Sequence, residues 1–202
     1  MQMKNKFNRV FQFKITLNEI NPSIWRRILV PETYSFWDLH VAIQDSMGWL
    51  DYHLHEFEME NPSKGEKAHI GIPPEDYFED DPEVFPGWKK NIRAYFTPDN
   101  ASATYRYDFG DNWQYEVVLE KIEPRTAGVS YPVCTGGERA CPPEDCGGPH
   151  GYGELLEIVM DPSHKRYGEM TAWAGAEFDP ERFDPRTVRF DDPAKRLKRA
   201  ME

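Results

Sequence analysis

The sequence contains no run of about 18 consecutive apolar residues, so no segment reads as a membrane-spanning helix. Its first thirteen residues lack the apolar stretch of a secretory signal, and the expected location is the cytoplasm, with no membrane partner. Cysteine is scarce, with three in 202 residues, which argues against a disulfide-stapled scaffold. Also absent are G-x-x-x-x-G-K-[ST], G-x-S-x-G, H-E-x-x-H and the dinucleotide fingerprint, so the familiar nucleotide and hydrolase sites are missing. Positive charge is short as well. Against 35 Asp and Glu stand 24 Lys and Arg, a formal net charge of −11 that speaks against broad, phosphate-driven binding of nucleic acid.

What the chain does have is aromatic mass: 12 Phe, 10 Tyr and 6 Trp supply a dense core. At this length one domain over residues 1–202 buries more surface than two small ones, so a single domain is expected. Charge is segregated. Lys4, Lys6, Arg9, Lys14, Arg26 and Arg27 face only Glu19 in the first thirty residues, while Glu75, Asp76, Glu79, Asp80, Asp81 and Glu83 have no basic neighbour within their run. Both runs read as solvated surface, and the basic one reads alternatively as an edge for an anionic partner.

Periodicity places the elements. Phe11, Phe13, Ile15 and Leu17 alternate with polar residues, as in a half-buried strand, and Ile24–Val30 forms a second strand ended by Pro31. Ser35 and Asp38 have capping-box spacing and open a helix that buries Phe36, Leu39, Ile43 and Met47 and stops at Gly48. Tyr52–Glu60 alternates again, with His53, His55, Phe57 and Met59 on one face, and Ala68–Ile72 pairs back on it. Proline and acid mark 73–90 as a long exposed loop. Gly110-Asp111-Asn112 joins strands 104–109 and 113–122 in a hairpin, and 124–153 reads as a second long loop. Short helices follow around Leu155–Val159 and Lys165–Trp173, and the basic residues at 195–199 suit a helix C-terminus. Strands first and helices later predict an α+β fold with a largely antiparallel sheet and a few packed helices.

Four constellations carry chemistry. Cys134, Cys141, Cys146 and His150 form a C-x6-C-x4-C-x3-H set that would suit zinc, although common zinc motifs begin with closer cysteines; the alternative is ordinary reduced thiols. His53 and His55, an H-x-H pair on one strand face, offer two metal ligands or two core histidines. In the hairpin, Asp108, Asp111 and Asn112 can cap the turn while Gly110 supplies positive φ. Glu144 and Asp145 are paired carboxylates for a cation or for acid–base work, but adjacent side chains on an extended segment point apart.

Five ordered motifs carry a resemblance: Ile24-Trp25-Arg26-Arg27, Phe36–Trp49, His53–Phe57, Tyr107–Trp113 and Pro142–Pro149 with Gly151-Tyr152. Together they resemble the Ri-plasmid open-reading-frame-three family, found on plasmids, in prokaryotic chromosomes and as passenger proteins of insertion sequences. The likeness covers about residues 8–175, which leaves 176–202 as a C-terminal extension. It implies an α+β domain with a strongly curved antiparallel sheet, barrel-like in outline, and almost no biochemistry. A resolvase-like label attached to some members finds no support, since neither a serine nor a tyrosine recombinase constellation is visible. Similar proteins often carry His where Tyr115 stands here, two residues after Trp113.

The favoured expectation is a non-enzymatic binding or accessory module. Its surface would gather His53, His55, Asp108, Asp111, Trp113, Glu144 and Asp145, because the polar motif residues lie in loops, where core packing explains them least. The alternative is a metal-dependent hydrolase or nuclease in which His and carboxylates hold a cation that activates water. Trp25, Trp37, Trp49 and Trp113 fall in or beside the motifs and are expected in the core.

Overall fold

The structure is a computed structural model that describes residues 7–202 apart from 75, 77–80 and 176. In chain order the elements are β1 (Arg9–Leu17), β2 (Trp25–Pro31), α1 (Phe36–Met47), β3 (His55–Asn61), β4 (Glu66–Gly71), β5 (Val84–Pro86), β6 (Ser102–Tyr107), β7 (Trp113–Pro124), β8 (Val133–Glu138), α2 (Gly148–Met160), α3 (Tyr167–Ala174) and α4 (Pro193–Ala200). The eight strands form one sheet in the order β5-β4-β3-β6-β7-β1-β2-β8. Every pairing is antiparallel except β4 with β5. The fold is α+β, as the element order predicts. The sheet stays open, however, and the barrel-like outline is not realised. Its two ends are strands of three and six residues, which offer little backbone for closure.

Alternation produces the core directly. Phe11, Phe13, Ile15 and Leu17 of β1 are all buried and share one core cluster with Phe57 of β3, Tyr105 of β6, and Tyr115 and Val117 of β7. Each fully buried large apolar side chain contributes about 1.5–3 kcal/mol, so this layer dominates the favourable side of folding. Helix α1 lies over it. Ser35 Oγ accepts the Asp38 N–H at 3.1 Å and Asp38 Oδ2 accepts the Ser35 N–H at 2.8 Å, which completes the capping box; Gly48 ends the helix at φ 86°. Ten of its twelve residues are buried, because the core takes one side and α4 packs on another. That docking is polar at its centre. Trp37 Nε1 donates to the Pro193 carbonyl at 2.9 Å, and Arg196 Nη2 reaches Asp45 at 2.8 Å.

Three sequence expectations change. The exposed loop 73–90 holds β5 and a 3-10 turn at Gly87–Lys89, while Asp76, Asp81 and Glu83 are exposed and Glu75, Glu79 and Asp80 lie outside the described residues. Within 124–153, β8 pairs with β2 and α2 begins at Gly148. Thr135-Gly136-Gly137 looks like a turn, yet the missing side chain at Gly137 admits Phe183 and the Trp25 carbonyl, which a Cβ would meet at 2.8 Å or less. Trp37, Trp49 and Trp113 are core residues, but Trp25 is only half-buried and carries Lys14 and Arg27 over its ring.

Candidate functional site

Residues 49–54 form a loop from the end of α1 into β3, with Asp51 at φ 63° and a bend at His53, and exposure alternates along it. Trp49, Asp51 and His55 turn inward and His53 is partly sheltered, whereas Leu50, Tyr52 and Leu54 are 61%, 70% and 52% exposed. Three apolar side chains on the solvent side reverse the usual pattern of a surface strand. Phe109, at the tip of the β6–β7 turn, is also half-exposed, with the Arg106 guanidinium 4.7 Å over its ring.

One phenol ties this segment to two loops. Tyr107 Oη accepts the N–H groups of Tyr52 and His53, at 2.9 and 3.4 Å, and donates to Glu144 Oε1 at 2.6 Å. Glu144 Oε2 accepts the Leu50 N–H at 3.1 Å, and Trp49 Nε1 donates to the Pro142 carbonyl at 2.8 Å. Burial and the Glu144 carboxylate push the Tyr107 phenol far above its usual range, so it remains a protonated donor. Asp111 Oδ2 accepts the Gly147 N–H at 3.1 Å, which clamps the 142–148 loop to the hairpin. Here glycine is required: Gly148 has φ 68°, and a Cβ on it would stand 2.5 Å from the Asp111 carbonyl.

The turn itself is built differently from the sequence expectation. Positive φ falls on Asp108 and Asn112, at 54° and 55°, not on Gly110. Asp108 Oδ1 accepts from Gly110 and Asp111, and this leaves Oδ2 pointing at His53. A surface cluster results. His53 Nε2 is 3.0 Å from Asp145 Oδ1 and 3.6 Å from Asp108 Oδ2, and one ligand atom from each of the three lies within 4.8 Å of the others.

His55 does not join it. Its ring is buried and stacks face to face on His40, with centroids 3.4 Å apart and planes 7° apart. Gln44 Nε2 donates to Tyr105 Oη at 2.9 Å, so the phenol proton serves His40 Nδ1 at 2.8 Å and His40 Nε2–H donates to Asp51 Oδ1 at 2.8 Å. Asp51 holds φ 63°, which swings its carboxylate beneath α1. His40, Asp51 and His55 also have one ligand atom each within 4.8 Å of the others. Burial holds both imidazoles well below their ordinary pKa, so they are neutral.

The H-x-H pair therefore divides between two clusters, since β3 starts at His55 and the chain before it is a loop that frees His53 to turn outward. Trp113 is likewise a core residue and presents no surface. Asp108 and Asp145 meet the His53 ring, Glu144 joins its backbone through Tyr107, and Asp111 holds the Gly147 N–H. Cys134, Cys141, Cys146 and His150 do not come together as a set of ligands: the cysteines are free, and His150 is exposed beside Glu154. Burial pushes the Cys141 and Cys146 thiols up to about 12, away from the thiolate that zinc needs. Of the basic edge, Arg26 is taken up inside the fold. Arg26 is 1% exposed and donates to the Ser46, Trp25 and Glu138 carbonyls. Arg27 is bidentate on Glu120, Arg9 pairs with Glu32, and Lys4 and Lys6 lie outside the described residues.

The sequence reading missed His40, Gln44, Asp51, Tyr105 and Arg196. One signal existed, because His40 and Gln44 stand four residues apart beside the apolar stripe of a helix, where two polar side chains on one face need a shared partner.

The family described as plasmid pRiA4b ORF-3-like protein matches residues 9–187, and the chain belongs to that family. The match runs beyond the expected 175 and ends before α4. The uncharacterised protein y4hQ of Sinorhizobium fredii (strain NBRC 101917 / NGR234) is 34% identical over 167 residues, covering 83% of this chain and 81% of its own. The crystal structure of a protein of unknown function, MM3350 from Methanosarcina mazei Go1, is 50% identical with a TM-score of 0.85, covering 92% of this chain and all of that one. Among the described residues no helix is long and apolar enough to cross a membrane.

Proposed function

From membership of the pRiA4b ORF-3-like family, we propose that this chain is a binding module whose recognition face is the junction of segment 49–54 with the 107–112 turn and the 142–148 loop. Its partner is a protein segment in which a basic side chain is flanked by apolar ones. The observation behind this is the exposed stripe of Leu50, Tyr52 and Leu54, with Phe109 nearby, around the Asp108 and Asp145 carboxylates. An apolar rim around an acidic centre matches that chemistry: the rim supplies desolvated contact and the carboxylates select the charge. The occurrence of such proteins on plasmids and insertion sequences fits an accessory role beside a mobile element.

The probes are synthetic peptides with a central lysine or arginine between leucines and aromatics, compared with glutamine-centred and glutamate-centred peptides of the same length. Fluorescence anisotropy should show binding of the basic peptides alone, weakening as salt rises and falling at least tenfold in Asp108→Asn and in Leu54→Ser. Affinity indifferent to peptide charge or to both substitutions overturns the reading.

A second reading, a metal-dependent hydrolase, draws on the convergence of His53, Asp108 and Asp145, a donor set that suits a divalent cation with open coordination positions. Cleavage of bis(p-nitrophenyl) phosphate that appears on adding Mn²⁺ and vanishes in Asp108→Asn would favour it over the binding module.

A further inference from the structure

Beneath α4, a second and nearly enclosed donor set stands apart from the recognition face. We propose that His40, Asp51 and His55 form a buried site for one divalent transition-metal ion of the zinc class.

The first observation is the donor set itself, two imidazoles and a carboxylate with one ligand atom each within 4.8 Å of the others. Zinc and its neighbours in the first transition row take that combination, whereas magnesium and calcium prefer oxygen alone. The second is His55. It is buried, and neither Nδ1 nor Nε2 has a hydrogen-bond partner among the described residues. Buried polar atoms without partners are rare in folded proteins, because each forfeits its bonds to water. A metal ion is the partner that an imidazole nitrogen and a neighbouring carboxylate share. Charge points the same way. Asp45 and Asp51 are both nearly enclosed and face one sheltered guanidinium, Arg196, so this enclosed group is short of a positive charge.

The surroundings also suit a ligand pair. Tyr105 holds the far nitrogen of His40 and is itself held by Gln44, the outer hydrogen bonding that orients metal-bound histidines. Ligation through His40 Nε2 uses the other tautomer of the neutral ring, in which the proton sits on Nδ1 and donates to Tyr105 Oη while Nε2 turns its lone pair toward the ion and Asp51, with no net proton released. An ion seated against Asp51 draws the two imidazoles out of their face-to-face stack. His55 gives up no hydrogen bond in turning. Helix α4 closes the site: Arg196 Nη1, buried and without a hydrogen bond among the described residues, forms an ion pair with Asp51 Oδ2 at 3.8 Å.

The test uses the untagged full-length chain. Elemental analysis after growth with added zinc should find one equivalent per chain, and Co²⁺ titration of the stripped protein should give the visible absorption of a four-coordinate nitrogen–oxygen site. Both signals should disappear in His55→Ala and in Asp51→Asn, and both should persist in His53→Ala and in a Cys134→Ser, Cys141→Ser, Cys146→Ser triple variant. Should His55→Ala fail to fold, Asp51→Asn carries the comparison, read by whether Zn²⁺ still raises the melting temperature. Substoichiometric metal in the wild type with a featureless Co²⁺ titration overturns the proposal. So does metal binding that survives Asp51→Asn, or that is lost in His53→Ala. The peptide assay leaves this result untouched, since it depends on Asp108 and Leu54 and not on the buried pair.

Discussion

His53 and His55 are two positions apart, one in the loop before β3 and one at its start, and each lies beside a carboxylate in a different dielectric. At His55 the ring is enclosed by Trp37, His40, Phe57 and Tyr105, with centroids 3.4 to 6.2 Å away. At His53 about a third of the side chain meets solvent, and Asp145, its 3.0 Å partner, is two-thirds exposed. The enclosed cluster is wired into the core through Tyr105, Gln44 and Arg196, so its polar atoms are set by packing as much as by chemistry. The surface cluster hangs on loops and is positioned from below by Tyr107, Glu144 and the Gly147-Gly148 turn. An ion pair exposed to water contributes little stability, about 0–1 kcal/mol, whereas an enclosed polar network costs several when one member is lost. Stability and recognition are therefore assigned to the start of a strand and to the loop that leads into it.

The contrast is sharpest where the network is cut. His40→Ala removes the partner of both Tyr105 and Asp51 and leaves a cavity, so urea unfolding should show a loss of about 3–4 kcal/mol. A loss below about 1 kcal/mol would mean that the enclosed network is not what it looks like. Gly148→Ala comes next, combining φ 68° with a close approach to the Asp111 carbonyl. It should cost about 1–3 kcal/mol and, by unseating the 142–148 loop, weaken binding of the basic peptides. If stability falls with unchanged peptide affinity, the loop does not position the recognition face. His53→Ala tests the other side. Stability should stay within about 0.5 kcal/mol of wild type in the same unfolding assay, with a detectable fall in peptide affinity. A stability loss near that of His40→Ala would erase the distinction between the two clusters.

Much of the frame is legible in the chain. The period-two run at Phe11–Leu17, the Ser35–Asp38 box with Gly48, and the hairpin around Gly110 are local signals, and each appears where its pattern places it. The helix-terminal preference of Lys198 and Arg199 is likewise met in the last turn of α4. Elements whose residues only make sense opposite a partner were not legible: β8, whose glycines admit Phe183, and β5, whose three residues need β4 beside them. The candidate site divides along the same line. Asp108, Asp111, Glu144 and Asp145 stand out as polar residues in turns. His40 and Asp51 did not, because a histidine within an apolar helix and an aspartate after a tryptophan carry no spacing that marks them as a pair.

The sequence by itself determined β1, α1, the β6–β7 hairpin, the aromatic core and the family, because periodicity, caps and turn residues act within a few positions of one another. Only the tertiary structure decided which cluster each histidine enters, that Arg26 is an inner brace and not a contact for an anion, and that the cysteines stay apart. Those outcomes depend on what lies across the sheet and under α4. Burial, which sets hydrogen-bond partners, pKa and access together, is a property of the assembled chain and of no local stretch of it.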